Sequence, residues 1–226
     1  MSDVVLVHGT TQGPAGFERL AAALRARGHR AWPVDLAGDP ERDEAAYGKA
    51  ALAQLPPGLE VAAAVAHSGS GLVLPAIARA VGAHRQIWLA AYVPDGRRSL
   101  ANEAAEAGEG LFAPEWMGED PTADPVAAAY FLFHDCPLET VRWALATLRR
   151  FVSARLYRSV VAPETAIPST YIAASLDRTV RPTWQRREPG WRVGAQVVEV
   201  EAGHCPHVSR PEVTATLIAR AIEARR

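Results

Sequence analysis

Cysteine is scarce in this sequence, and long hydrophobic runs are missing. The 226 residues include two cysteines, Cys136 and Cys205, too few for the disulfide framework of a small secreted protein. No stretch approaches the roughly eighteen consecutive apolar residues of a membrane span, and no basic segment at the start leads into an apolar one. We therefore expect reduced thiols, a cytoplasmic location and no membrane contact.

An excess of charge of either sign is also missing. Lysine and arginine number 24 against 25 for aspartate and glutamate, a net charge of −1. Nucleic acid and anionic lipid attract strongly basic proteins, so neither partner is expected. With 49% apolar and 22% charged residues, the composition is that of an ordinary globular protein. The length predicts one domain, residues 1–226, with an inserted segment.

Short apolar runs alternate with amphipathic stretches along most of the chain. The apolar residues of the amphipathic stretches have helical spacing. The last of these helices is predicted to begin at Pro211 and to bury Val213 against the sheet. This alternation predicts an α/β protein with a mostly parallel, doubly wound sheet flanked by helices on both faces. The predicted strands are residues 4–7, 29–36, 61–66, 86–93, 170–174 and 197–200.

The alternation breaks over residues 95–168, where no clear buried strand is found. Glycine, proline and acidic residues come first, and a helical stretch with Leu138, Val141 and Leu145 on one stripe follows. We interpret residues 96–168 as a small helical cap inserted into the domain.

The third predicted strand runs into an Ala-His-Ser-Gly-Ser segment at residues 66–70, and a helix follows at once. A serine flanked by small residues in a strand-turn-helix context is typical of a nucleophile elbow. If Ser70 were the nucleophile, Leu72 would occupy a position that tolerates only small side chains, so Ser68 is preferred. The alternatives are close packing of helix and strand, or a phosphate held by helix N–H groups.

A serine hydroxyl needs a base within hydrogen-bonding reach to act as a nucleophile at neutral pH. His204 follows the last predicted strand on a loop at the same sheet edge and is the candidate base. His207 lies nearer to the final helix and is the alternative, unless it is a loop residue or a contact to the helix end.

The acid that orients the base is expected on a loop after a strand, because ligand sites of open α/β sheets lie at the carboxyl ends of their strands. Asp177 follows the next-to-last predicted strand by a few residues. It could instead form part of a turn or pair with Arg178 or Arg181. Asp95, after the fourth predicted strand, is the second candidate.

Acyl transfer also requires donors for the negative charge that develops on the carbonyl oxygen. One N–H would come from Gly69, the residue after the elbow serine, and the other from Thr10 in the loop after the first strand. The same loop offers Gly9, Thr11 and Gln12 as candidate substrate contacts. A nest that binds phosphate is the alternative, but the loop lacks the lysine of a P-loop and the spacing of a dinucleotide fingerprint.

Several segments, in order and spacing, resemble the α/β-hydrolase fold family, in particular its branch of plant methylesterases, hydroxynitrile lyases and related bacterial esterases. They are residues 6–14, the elbow at Ser68, and residues 130–136, 170–177 and 203–212. The resemblance implies the α/β-hydrolase fold and the chain order Ser, Asp, His. It assigns Ser68 as nucleophile, His204 as base and acid, Asp177 as orienting acid, and the N–H groups of Thr10 and Gly69 as oxyanion hole.

Departures from the family pattern bear on the substrate. Hydroxynitrile lyases of this branch carry threonine at the Gly9 position and lysine after the catalytic histidine, where Cys205 stands here, so cyanohydrin cleavage is not expected. Dehalogenases and epoxide hydrolases use aspartate at the elbow, which Ser68 argues against. Gly69 replaces a residue that is often bulkier, and Gln12 stands where some relatives have histidine.

We therefore expect a serine hydrolase that cleaves a carboxylic ester, thioester or lactone through an acyl-serine intermediate, with no metal and no organic cofactor. The expected partner is a small-molecule substrate, and a homodimer is the candidate assembly. The alternatives are a lyase that uses the same site for elimination or C–C cleavage, and a non-catalytic receptor. Side chains of the cap would wall an apolar pocket, unless they pack the cap onto the body: Leu111, Phe112, Trp116, Met117, Tyr130 and Phe133.

Overall fold

The computed structural model describes residues 1–106 and 110–224. Its strands are β1 (Asp3–Val7), β2 (Arg30–Val34), β3 (Val61–His67), β4 (Gln86–Leu89), β5 (Ser169–Ala174) and β6 (Gln196–Val200). They form one six-stranded sheet in the order β2-β1-β3-β4-β5-β6, and all neighbouring pairs are parallel. The predicted α/β class and parallel sheet are confirmed. Since all strands run the same way, their carboxyl ends meet at one edge.

Alternate residues of each buried strand contribute to two separate hydrophobic cores, one on each face of the sheet. In β1, Val5 and Val7 join one core, whereas Val4 and Leu6 join the other. Both faces are therefore covered, which explains why the strands read as continuous apolar runs rather than as alternating ones.

Ten α-helices lie in the described residues, several of them very short. The first core contains residues of α2, α3 and α8, and the second contains residues of α1 and α10. Segments of 3-10 helix precede α1 and α3, at Pro14–Phe17 and Ser68–Val73, and a third lies between β4 and β5, at Pro114–Trp116. The helices are α1 (Glu18–Ala26), α2 (Glu44–Leu52), α3 (Leu74–Ala80), α4 (Leu100–Ala104), α5 (Pro125–Ala127), α6 (Leu138–Leu145), α7 (Ala154–Arg158), α8 (Pro182–Val193), α9 (Pro206–Ser209) and α10 (Pro211–Glu223).

Between β4 and β5 the chain forms short helices and no long strand in its described part. A π-helical turn, Ala128–Leu132, follows α5 directly. On α6 the expected apolar stripe begins later than predicted, because Leu138 is 65% exposed while Val141 and Leu145 pack on an apolar cluster. Residues 107–109, inside the predicted cap, lie outside the described residues. The division into one domain with a cap stays a prediction.

Two local expectations are wrong, and one helix was not expected. The fourth strand ends at Leu89 instead of residue 93, since Ala90 turns into the left-handed region with φ of 44°. Val213 is 48% exposed, and α10 instead buries a stripe that includes Ala215 and Ile218. Helix α8 was not predicted, because its sequence is polar and carries Pro189 in its interior.

None of the helices in residues 1–106 and 110–224 combines the length and the apolar character that crossing a bilayer requires.

Candidate active site

Ser68 lies at the turn between β3 and the 3-10 segment that leads into α3. Its φ of 56° puts a non-glycine residue in the left-handed region, which is strained and is commonly stabilised only at functional turns. A Cβ added at Gly71 would overlap the Tyr92 carbonyl oxygen, so only glycine allows this close approach. The alternative serine, Ser70, is buried, and its hydroxyl has no hydrogen-bond partner among the described residues.

A chain of hydrogen bonds joins Ser68, His204 and Asp177. Nε2 of His204 lies 2.9 Å from Ser68 Oγ, and Nδ1 lies 2.8 Å from Asp177 Oδ2. The carboxylate accepts the Nδ1 proton, which leaves Nε2 free to accept the serine proton. The structure thus brings together three residues that lie in separate parts of the sequence, at the ends of β3, β5 and β6.

The Asp177 carboxylate is surrounded by donors. Its Oδ1 accepts from the Thr179 N–H at 2.7 Å, the Thr179 hydroxyl at 2.9 Å and the Val180 N–H at 3.1 Å. Its Oδ2 accepts from Gln185 Nε2 at 2.8 Å in addition to His204. Thr179 Oγ1 also lies 2.6 Å from Nδ1 of His204. These contacts fix the carboxylate and the imidazole ring in one orientation.

His207 and Asp95, the alternatives considered for the base and the acid, have other contacts. Nε2 of His207 lies 2.9 Å from Gln12 Oε1, and burial lowers the pKa of His207 to about 3. Asp95 accepts from the N–H groups of Arg97 and Arg98 at 2.7 and 2.9 Å and closes a surface turn. Neither belongs to the hydrogen-bonded chain that ends at Ser68.

The loop after β1 is held against the elbow. The carbonyl oxygens of Thr10 and Thr11 accept from the N–H groups of Phe151 and Arg149 at 2.8 and 3.0 Å. A Cβ at Gly9 would lie 2.6 Å from Nδ1 of His67, so glycine lets the loop pack on that ring. Nε2 of His67 lies 2.8 Å from the His204 carbonyl oxygen, so this ring supports the loop that carries His204.

A cavity of about 250 Å³ opens in front of Ser68. Both Thr10 and Gly69 line it, as do Phe112 and Trp116 among the predicted substrate contacts. Thr11 lines an adjoining depression together with Thr10 and Trp116. The complete lining among the described residues is Thr10, Ser68, Gly69, Tyr92, Ala104, Phe112, Trp116, Met117, Gly118, Glu119, Tyr157, Thr179 and Val180.

Besides Thr11, which lines the adjoining depression, four predicted substrate contacts are not part of this described lining, and each has a structural explanation. Gly9 faces His67, as described above. Gln12 is 1% exposed and uses its amide on Thr147 Oγ1, at 2.8 Å, and on His207. Phe133 is fully buried in an apolar cluster with residues such as Leu132 and Val208. Tyr130 is 52% exposed and lies against the guanidinium of Arg178.

Within the described residues, His67, Cys205 and His207 form a buried group whose potential ligand atoms lie within 4.8 Å of one another. Burial raises the pKa of the Cys205 thiol well above its usual value, which disfavours the thiolate that binds metals. Gln12 and the His204 carbonyl oxygen already engage one nitrogen of each histidine. This group therefore packs beneath the site as a neutral cluster.

Comparison with known proteins decides the family. A model of the alpha/beta hydrolase family matches residues 4–217. The chain belongs to this family. The membership confirms the predicted family and the predicted class of enzyme. Among curated proteins, no sequence matches the chain significantly.

Solved structures of other proteins have the same fold. A pyrethroid hydrolase from Sphingobium faniae JZ-2 is 20% identical, with a TM-score of 0.76 over 99% of this chain and 98% of the other. Polyneuridine aldehyde esterase is 20% identical, with a TM-score of 0.77 over 98% and 99%. A methylesterase from Arabidopsis is 22% identical, with a TM-score of 0.73 over 99% of both chains.

Sequence reasoning missed several residues of this α/β-hydrolase site. Thr179 and Gln185 contact Asp177, and Tyr92 and Tyr157 line the cavity. The proximity of Thr179 to Asp177 in an Asp-Arg-Thr turn was a usable signal, because aspartate commonly accepts from a residue two positions later. No comparable signal exists for Gln185 or Tyr157, which reach the site from helices α8 and α7.

Proposed function

We propose that this α/β hydrolase is a serine esterase that cleaves a carboxylic ester, thioester or lactone of a small to medium apolar substrate. The observation that carries the proposal is the hydrogen-bonded chain from Asp177 through His204 to Ser68, with Ser68 on a strained turn at the wall of a cavity. This arrangement supplies a nucleophile, a base and an orienting acid in the geometry that acyl transfer requires.

In the proposed mechanism, Ser68 Oγ attacks the carbonyl carbon of the ester while His204 Nε2 takes its proton. The N–H groups of Thr10 and Gly69 donate to the oxyanion of the tetrahedral intermediate. His204 then returns the proton to the leaving alcohol, and an acyl-serine remains. Water, activated by the same His204, attacks the acyl group and releases the acid. Asp177 stabilises the imidazolium in both halves of the reaction.

The cavity lining supports an apolar substrate. Tyr92, Phe112, Trp116 and Val180 provide apolar and aromatic surface, and Glu119 is exposed and is the charged side chain among the described lining residues. Apolar walls with a few polar groups at one end favour a neutral acyl chain or ring over an anionic one. The neighbours named as a pyrethroid hydrolase, an esterase and a methylesterase are consistent with ester cleavage.

Turnover of nitrophenyl esters from acetyl to octanoyl tests the proposal. The wild-type protein is expected to hydrolyse at least the shorter esters, and Ser68→Ala to abolish this turnover. Intact-mass spectrometry should detect an acyl adduct on the wild-type chain and none on Ser68→Ala. A folded protein that turns over none of the esters and forms no adduct contradicts the esterase proposal and favours the lyase or receptor alternatives.

A second prediction concerns Thr179, whose hydroxyl contacts both Asp177 and His204. Thr179→Val keeps the shape of the side chain but removes these two hydrogen bonds, so kcat is expected to fall about thirtyfold, given about 1 kcal/mol for each hydrogen bond. Thr170→Val is the matched control, because the buried Thr170 hydroxyl has no partner among the described residues. Equal kcat values for the two variants would refute the role of Thr179.

The cytoplasmic location, the small-molecule partner and the homodimer stay predictions for this esterase. A size measurement in solution would test the last of them.

A further inference from the structure

The hydroxyl of Tyr157 occupies the space next to Gly69 that a side chain would otherwise fill. Tyr157 lies on α7, in the segment between β4 and β5, and lines the cavity in front of Ser68. A Cβ added at Gly69 would overlap the Tyr157 hydroxyl oxygen and lie 2.8 Å from Cγ2 of Thr10. The absence of a side chain at residue 69 therefore lets the tyrosine reach the elbow.

Three neighbouring residues of the cavity wall carry potential donors at this point. The N–H groups of Thr10 and Gly69 are the proposed oxyanion hole, and the Tyr157 hydroxyl lies beside both residues. Burial raises the pKa of Tyr157 to about 12, although a hydrogen bond with the Thr10 side chain opposes this shift. The phenol is consequently protonated at neutral pH and can donate a hydrogen bond.

The cavity lacks cationic side chains among its described lining residues, so a neutral donor such as the Tyr157 hydroxyl would stabilise negative charge there. The described residues that line it include no lysine, arginine or histidine. Negative charge developing on a substrate oxygen must therefore be stabilised by neutral donors, and a fixed O–H dipole in a largely apolar cavity does this effectively.

We propose that the Tyr157 hydroxyl is a third hydrogen-bond donor to the oxyanion formed when Ser68 attacks the substrate carbonyl. In this step the Ser68 Oγ–C bond forms and the carbonyl π electrons move onto oxygen. The serine proton goes to His204 Nε2, and Tyr157 keeps its own proton. The inference rests on the proposed acyl transfer at Ser68 and adds to it a catalytic residue from a separate element of the fold.

The first test is the kinetics of Tyr157→Phe, which removes the donor and retains the ring. We expect kcat to fall about a hundredfold, the usual effect of losing one oxyanion donor, with KM nearly unchanged. Tyr47→Phe is the matched control, because it removes a buried hydroxyl that has no partner among the described residues; its kcat should equal that of the wild type. A purely structural role of Tyr157 would raise KM or lower the melting temperature instead.

Phenylboronic acid provides a second test that does not require turnover. It forms a reversible tetrahedral adduct with an activated serine, and one boronate oxygen takes the place of the oxyanion. Its Kd, measured by calorimetry, should be at least tenfold higher for Tyr157→Phe than for wild type or Tyr47→Phe. Ser68→Ala should not bind it.

The outcomes separate this inference from the esterase proposal. Ester turnover that depends on Ser68, combined with equal kcat and equal boronate Kd for Tyr157→Phe and wild type, overturns the role of Tyr157 alone. Boronate binding weakened by Tyr157→Phe without any ester turnover supports the donor and contradicts only the esterase activity. A wild-type protein that neither turns over esters nor binds the boronate overturns both.

Discussion

Asp177→Asn is expected to lower kcat about ten-thousandfold while the protein stays folded. Every partner of the Asp177 carboxylate is a donor: the N–H and hydroxyl of Thr179 and the N–H of Val180 on Oδ1, and Gln185 and His204 on Oδ2. The asparagine oxygen can satisfy the Oδ1 side, but its NH₂ group then faces His204. Because two donors cannot pair, the imidazole must carry its proton on Nε2, where it can no longer accept the proton of Ser68.

The comparison that decides this prediction is Asp95→Asn. The Asp95 carboxylate closes a turn with Arg97 and Arg98, so its amide variant should retain full turnover and differ, if at all, in melting temperature. Circular dichroism would verify that both variants are folded, and kcat on the best nitrophenyl ester would then be measured for each. A large loss in Asp95→Asn together with near-normal turnover in Asp177→Asn would show that the acid had been assigned to the wrong residue.

The sheet was predictable from sequence because its strands are buried on both faces. The run at residues 4–7 is apolar at every position, which distinguishes it from the amphipathic segments around it. Boundaries were less predictable, since they depend on single backbone angles such as the positive φ of Ala90. Helix α8 was missed because an interior proline and a polar composition, which normally indicate a loop, are overridden by the tertiary contacts of Trp184 and Gln185.

In the candidate site, too, some residues were predictable from the sequence and others were not. Ser68, Asp177 and His204 follow strands, and strand ends of a parallel sheet converge, so their meeting could be inferred from order alone. The side chains around them reach the site from elsewhere. Phe133 is as apolar as Phe112, and only the packing of the segment between β4 and β5 decides that the first is buried and the second lines the cavity. Sequence patterns carry no information on which side of a short helix faces a distant strand end.

A buried ion pair supports Tyr92, one of the residues that line the cavity. Arg192 and Glu103 are 6% and 4% exposed, and two hydrogen bonds of 2.6 and 3.0 Å join them. Glu103 also accepts from the Tyr92 hydroxyl at 3.0 Å and from Trp184 Nε1 at 3.2 Å. Tyr92 lines the cavity, and its N–H donates to the Ser68 carbonyl oxygen at 3.0 Å. The ion pair thus supports the ring that lies beside the elbow.

Arg192→Met is expected to reduce the free energy of unfolding by about 3–5 kcal/mol, because it leaves the Glu103 carboxylate buried without its cation. Arg98 does not replace it, since its nearest nitrogen lies 4.0 Å from Glu103, its side chain is 39% exposed, and it already pairs with Asp95 and Glu106. Urea unfolding at pH 7.5 would measure the loss. The double variant Arg192→Met/Glu103→Leu should recover most of it, since no charge then remains buried.

The dependence of this loss on pH identifies its cause. Without Arg192, the buried Glu103 carboxylate has no cation beside it, and desolvation disfavours its charged form. Desolvation of a carboxylate makes the folded state less stable as the pH rises, so the difference in the free energy of unfolding between wild type and Arg192→Met should shrink as the pH is lowered from 7.5 to 5. Both proteins contain the same histidines, whose contributions cancel in this difference. If loss of the contact between the Arg192 guanidinium and the Trp184 ring were the cause, the difference would be independent of pH and the double variant would recover nothing.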